Sequence, residues 1–260
     1  SPGYIDPPAV EALARHGDRI FVGGGFLEIG GQAHANFGCI DAATGAPLDW
    51  DWNTGSIYAF ATSGSTLFVA GSFSSMGGEP RANLAAVNAE TGEVLPWRAD
   101  VFGAAYTLLV RADTLFVGGN FLGIAGVERY MLAALNGKTA ELLPFDARVS
   151  GIRGDYFPDP LVSGLVLVGD TLYVAGDFTN IGGMPLPSLA AVNASTGDAL
   201  PWAPAPFGPS YEGFPPPLLE TLAVAGQTLY IGGWFNTVGG LSHPGVAALS
   251  RETGTVLAWD

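Results

Sequence analysis

Five apolar runs of one character recur along the chain: VEALAR (10–15), IYAFAT (57–62), YTLLVR (106–111), LVSGLVLV (161–168) and LLETLAV (218–224). Each leads into a two-residue turn: Gly17-Asp18, Gly64-Ser65, Ala112-Asp113, Gly169-Asp170 or Gly226-Gln227. Such a pair between apolar runs predicts a β-hairpin, because tight hairpin turns need positive φ. The second arm reads IFVGG, LFVAG, LFVGG, LYVAG or LYIGG. Its β-branched and aromatic content suits a strand buried on both faces.

A Gly-rich loop then leads to a third run, FGCID, LAAVN, LAALN, LAAVN or VAALS, whose small side chains let sheets pack closely. The next turn opens with Asp41, Asn88, Asn136, Asn193 or Ser250. These side chains can accept backbone N–H groups two positions on. Thr-Gly closes the turn in four copies, whereas the third has Thr139-Ala140. Positive φ there would cost Ala roughly 1–2 kcal/mol, so the third turn is expected to take another shape. A short fourth strand ends in LPW or its equivalent.

Fixed residues mark the same period. Gly-x-Phe falls at Gly24/Phe26, Gly71/Phe73, Gly119/Phe121, Gly176/Phe178 and Gly233/Phe235, and a small-residue pair follows each. Trp50, Trp97, Phe145, Trp202 and Trp259 close the units about every fifty residues. The closing aromatics are expected to pack between neighbouring units. A period of this kind predicts an all-β chain: a β-propeller of five four-stranded antiparallel blades, or five blades of a larger one. The repeats run 9–56, 57–104, 105–160, 161–217 and 218–260 within one domain, 1–260. A lone unit cannot bury both its faces, so the units must stack. The chain opens on Ser1 and stops at Asp260, where a connector would begin. That reads as a processed product, cut at a repeat boundary or closed on itself at one seam.

Composition narrows the partners. Net charge is -14, with a single lysine, Lys138, which argues against nucleic acid and against an anionic membrane surface. No apolar run is long enough to span a membrane. Cys39 is the one cysteine, so it forms no intrachain disulfide, and on its apolar strand it reads as a small buried hydrophobe.

The unit GDTLYVAGDFTNIGGMPLPSLAAVNASTGDALPW (169–202) resembles the delta-sixty repeat, a propeller repeat of bacterial secreted and surface proteins. The likeness extends over nearly all of 9–260. It implies an exported propeller, extracellular or on the cell surface, and implies no catalytic activity. The AVNASTG…W part also resembles the tryptophan-docking motif of quinoprotein propellers. Pro201 lengthens that motif here, and no quinone or other cofactor is expected.

Two long connectors, 146–160 and 203–217, hold Asp155, Tyr156, Phe157, Tyr211, Glu212 and Phe214. Aromatics beside carboxylates on loops suit a glycan or protein partner, and equally suit an ordered lid. The loops of the Gly-Gly pairs and these connectors should share one end of the stack. One strand column, Glu11, Tyr58, Tyr106, Ser163 and Glu220, is expected to point at a central channel. Tyr58 and Tyr106 are candidate ligand contacts. Glu11 and Glu220, adjacent if the ring closes, are the minimum for glycoside acid/base chemistry or for an oxygen-ligated Ca²⁺. Solvated channel side chains are the other reading. His34, Arg81, Arg129 and His243 share a column that reads as solvated edge residues that discourage strand pairing. No catalytic set stands out, so a non-catalytic binding or scaffold module is the preferred reading. A glycan-active enzyme and a segment of a surface array are the alternatives.

Overall fold

The computed structural model describes residues 8–50, 52, 54–151, 160–208 and 217–258. Among these there is no helix, and the chain is all β. Fifteen principal strands make five antiparallel sheets of the same plan. They are β1 Ala9–His16, β2 Arg19–Gly25 and β3 Phe37–Asp41; β4 Ser56–Ser63, β5 Thr66–Ser72 and β6 Leu84–Asn88; β7 Ala105–Arg111, β8 Thr114–Gly119 and β9 Leu132–Asn136. The last two sheets hold β10 Leu161–Val168, β11 Thr171–Asp177 and β12 Leu189–Asn193, then β13 Leu218–Ala225, β14 Thr228–Trp234 and β15 Val246–Ser250. In each sheet the second strand lies between the first and third.

The fourth strand is much reduced. Pro47–Leu48 forms one in the first sheet. In the others it shrinks to a single bridge, Val87 with Val94, Leu135 with Leu142, Val192 with Ala199 and Leu249 with Val256. Pro96, Pro144 and Pro201 follow shortly after three of these bridges, and proline has no N–H to extend a ladder.

Every first strand carries a β-bulge at the same place. The ladder passes from Val10 to Ala12, from Ile57 to Ala59, from Ala105 to Thr107, from Val162 to Gly164 and from Leu219 to Thr221. The skipped residues are Glu11, Tyr58, Tyr106, Ser163 and Glu220. The bulge also explains the Gly of Gly-x-Phe. A Cβ on Gly71 would lie 2.1 Å from the Ser56 carbonyl oxygen, and Gly119 and Gly176 meet the same obstacle.

The Gly-Gly loops are themselves small hairpins. Glu28–Ile29 pairs with Gln32–Ala33, Ser75–Met76 with Glu79–Pro80, Gly123–Ile124 with Val127–Glu128 and Thr237–Val238 with Leu241–Ser242. Both central residues have positive φ, as at Gly77 (56°) and Gly78 (82°), which is the type I′ pattern.

The turn after the third strand is capped as its sequence predicts. Asn88 Oδ1 accepts the Glu90 and Thr91 amides, and Asp41, Asn136, Asn193 and Ser250 do the same in their copies. The expected change of shape at Ala140 does not occur. Ala140 takes φ 66°, beside 77° at Gly92, and its amide bonds to the Asn136 carbonyl as Gly92 bonds to Asn88. The capping hydrogen bonds hold the turn, and Ala absorbs the left-handed backbone.

Four hydrophobic cores join successive sheets. Phe21, Phe37 and Cys39 of the first pack with Ile57, Leu67 and Val69 of the second. Phe68, Leu84 and Trp97 pack with Ala105, Leu115 and Val117. Phe116, Leu132 and Phe145 pack with Val162, Leu172 and Val174. Tyr173, Leu189 and Trp202 pack with Leu219, Leu229 and Ile231. The first strands adjoin in the order β1, β4, β7, β10, β13. Among the described residues no comparable packing joins β13 back to β1.

Trp97, Phe145 and Trp202 lie in these cores, and Trp50, partly buried, packs against the first. Trp97 stacks edge-on against Phe68, and Tyr173 meets Trp202 in the same way. The Trp97 and Trp202 indoles donate to Asn136 and Ser250 carbonyls of the following sheet. Trp259 lies outside the described residues. Cys39 is buried as expected, and burial pushes its thiol up to about 11 despite the nearby Arg19.

Candidate functional site

Connectors run alongside the hairpins of the sheets that follow them. Val101–Phe102 pairs with Gly123–Ile124, Ser150 with Asn180, and Phe207–Gly208 with Thr237–Val238. The described stems of both long connectors therefore sit at the hairpin end of their sheets. Asp155, Tyr156, Phe157, Tyr211, Glu212 and Phe214 themselves lie outside the described residues.

Residues just before three of the five third strands fasten the connectors, while Met131 and Gly245 hold the place in the other two. The Asn83 side-chain amide donates to the Val101 and Gly103 carbonyls, while its oxygen accepts the Phe73 amide. Asn36 donates to the Thr54 carbonyl, and Ser188 to that of Pro217. All three have positive φ. Sequence reasoning passed over this column, although Asn at two of its places is a signal for left-handed backbone.

Two adjoining grooves lie beside the third sheet. One, of about 430 Å³, is lined by Val101, Phe102, Leu122, Ile124, Val127 and their neighbours. The other, of about 700 Å³, carries polar groups, Arg98, Asp100, Thr139 and Glu141. They share Asp100, Gly126 and Val127. Asp100 is fixed by an ion pair of 2.6 Å with Arg98 and accepts the Ala82 amide. Partial burial, the strongest single influence, works against its charge, but the hydrogen bonds from Arg98 and Ala82 and the charges of Arg98 and Arg81 together outweigh it and hold the carboxyl below its usual range. Phe102 is 73% exposed and Leu122 53%. A counterpart of the polar groove runs beside the second sheet, among Glu79, Arg81, Glu93 and Trp52.

The column expected to face a channel is the bulge column. Tyr58 and Tyr106 come together from neighbouring sheets, ring centroids 5.1 Å apart. Ser163 bonds across to the Leu219 carbonyl of the fifth sheet. Glu11 and Glu220 sit on β1 and β13, the end strands of the series. The Glu220 carboxylate accepts the Trp234 indole N–H at 2.8 Å. Partial burial raises the Glu11 pKa. Among the described residues no group of three His, Cys, Asp or Glu side chains is arranged to hold a metal ion.

The reading of the column of His34, Arg81, Arg129 and His243 as solvated edge residues is corrected at His34, Arg81 and Arg129. His34 and Arg81 are buried. The Arg81 guanidinium donates to the Pro80 and Leu95 carbonyls, and Arg129 donates to that of Phe145. The two arginines thus tie the hairpin to the Leu95 and Phe145 carbonyls, just past the bridges that remain of the fourth strand.

No protein-family model and no curated protein matches the sequence. Among solved structures the chain is similar to the computationally designed Ika4 protein, at 12% identity and TM-score 0.42, over 75% of this chain and 91% of that one. It is also similar to the computationally designed Ika8 protein, at 13% identity and TM-score 0.37, over 96% of this chain and 86% of that one.

Proposed function

We propose that the five sheets are blades of a β-propeller, an arc of a larger ring, that acts as a non-catalytic binding or scaffold module. A protein or glycan partner meets the end that carries the hairpins and connectors. The observation that carries this reading is Phe102, largely exposed, beside an apolar groove that continues into a polar one. An apolar ring flanked by fixed carboxylates fits a sugar face or an apolar peptide side chain. The recurring polar side chains support a structural role for the repeat itself, since Asn88, Asn83, Arg81 and Trp97 are engaged with backbone groups. Among the described residues no packing like that between successive sheets joins β13 to β1, which favours an arc over a closed ring of five. Likeness to delta-sixty repeats and the acidic balance favour an extracellular or cell-surface setting.

The test is binding to a glycan panel and a displayed peptide library by the wild type and by a Phe102→Ser/Leu122→Ser double variant. The reading expects a ligand that the variant loses while its melting temperature stays within a few degrees. A ligand bound equally by both would place the site elsewhere.

A further inference from the structure

We infer that the first and fifth sheets present the two unmatched halves of the interface that joins sheets inside the chain. They receive each other between copies of the protein, head to tail. This stands apart from the ligand reading above, and its test does not depend on any ligand.

Each sheet has a backward face, toward the sheet before it, and a forward face. Ile57, Ala105, Val162 and Leu219 occupy one backward-facing position, and all four are fully buried. Val10 holds that position in the first sheet and is 58% exposed. Two ladder steps on, Phe60, Leu108, Leu165 and Leu222 pack on the same four cores, whereas Leu13 is 66% exposed. Among the described residues, no sheet packs on the apolar backward face of the first sheet as sheets pack elsewhere in the series.

The fifth sheet shows the complementary defect. Phe37, Leu84, Leu132 and Leu189 fill a forward-facing position and are at most 1% exposed. Val246 holds it in β15 and is 46% exposed. Ala14, Ala61, Leu109 and Val166 pack forward into the cores, while their counterpart Ala223 is exposed. One molecule therefore carries both a backward and a forward half of an interface it already makes four times. The occupant of stated shape is another sheet of this repeat, and a second copy supplies it. Contacts between unlike faces are heterologous, so they close into a ring or extend into an array.

The experiment is light scattering on the 260-residue chain across a concentration series. Wild type should show a mass of two or more copies that falls on dilution. Leu13→Glu blocks the backward face and Val246→Glu the forward face. Both residues are exposed in the single chain, so each variant should keep its melting temperature. Each alone should be monomeric, with association weakened about a hundredfold or more. Mixed in equal amounts, the variants should pair one to one, because each retains the face that the other lacks. A folded wild type that stays monomeric throughout overturns the inference, and indicates that further in-line repeats or an unlike partner cover these faces. A Val246→Glu variant that still associates alone, or a mixture that does not pair, overturns the head-to-tail arrangement.

Discussion

The Trp97 indole N–H donates to the Asn136 carbonyl at 3.2 Å, reaching from the second repeat to the capped turn of the third. The ring meets Phe68 of its own sheet edge-on, at a centroid distance of 5.2 Å. One side chain thus joins a repeat internally and fastens it to its neighbour. Trp97→Ala should lower stability by about 3–5 kcal/mol through lost burial and the cavity left behind. Trp97→Phe should cost about 1–2 kcal/mol, since Phe145 fills the same place without an N–H. Urea unfolding measures both, and equal losses would mean that the ring's bulk is not what counts.

Ala140 takes a left-handed φ of 66° in a turn where the other four copies have Gly. Ala140→Gly should therefore stabilise the protein by about 1 kcal/mol, less the added freedom of the unfolded chain. Gly197→Ala should do the reverse, by at least about 2 kcal/mol. Its Cβ would lie 2.3 Å from the carbonyl carbon of Asp146, in addition to the backbone strain. Unfolding midpoints of the two variants should move in opposite directions.

At the bulge, Gly71→Ala places a methyl group 2.1 Å from the Ser56 carbonyl oxygen, and backbone on one side or the other must shift. A loss of roughly 2–3 kcal/mol is expected. The exposed neighbour Ser72→Ala should change stability by under about 0.5 kcal/mol. If the two variants melt together, the bulge is not the reason for this glycine.

Hydrogen bonds from the Thr44 hydroxyl and amide hold the Asp41 carboxyl below its usual range. A depressed carboxylate pKa adds stability at pH values above the ordinary carboxylate range, and that stability fades as pH falls through the depressed value. Asn fills the same turn position at Asn88, Asn136 and Asn193 and does not titrate. Asp41→Asn should therefore match wild type near neutral pH and lose less stability in acid. Melting curves from pH 7 to pH 2 check this, and parallel acid losses would contradict it.

Much of this architecture is legible in the sequence because the repeat shows which positions change together. Aligning five copies picks out the column of Glu11, Tyr58, Tyr106, Ser163 and Glu220, and the structure makes that column the bulge. The bulge itself is hidden, because apolar alternation does not show one unpaired residue. The Asx turns are legible because Asn and Asp bond locally. Arg81 is not legible, because its partner is the carbonyl of Leu95, exposed by a fourth strand too short to use it. The grooves around Phe102 were missed for a related reason. They arise where a connector pairs with a hairpin, and a two-residue pairing such as Val101–Phe102 with Gly123–Ile124 leaves no periodic trace.

Cys39 offers the most direct test that sheets shield one another. It lies on β3 and is buried in the core shared with Ile57 and Trp52, beyond its own sheet. Native thiol labelling with a maleimide should be slow, and Ile57→Ala, a change in a different sheet, should speed it at least tenfold without unfolding the protein. Immediate labelling of the folded wild type, or a rate indifferent to Ile57→Ala, would contradict the account.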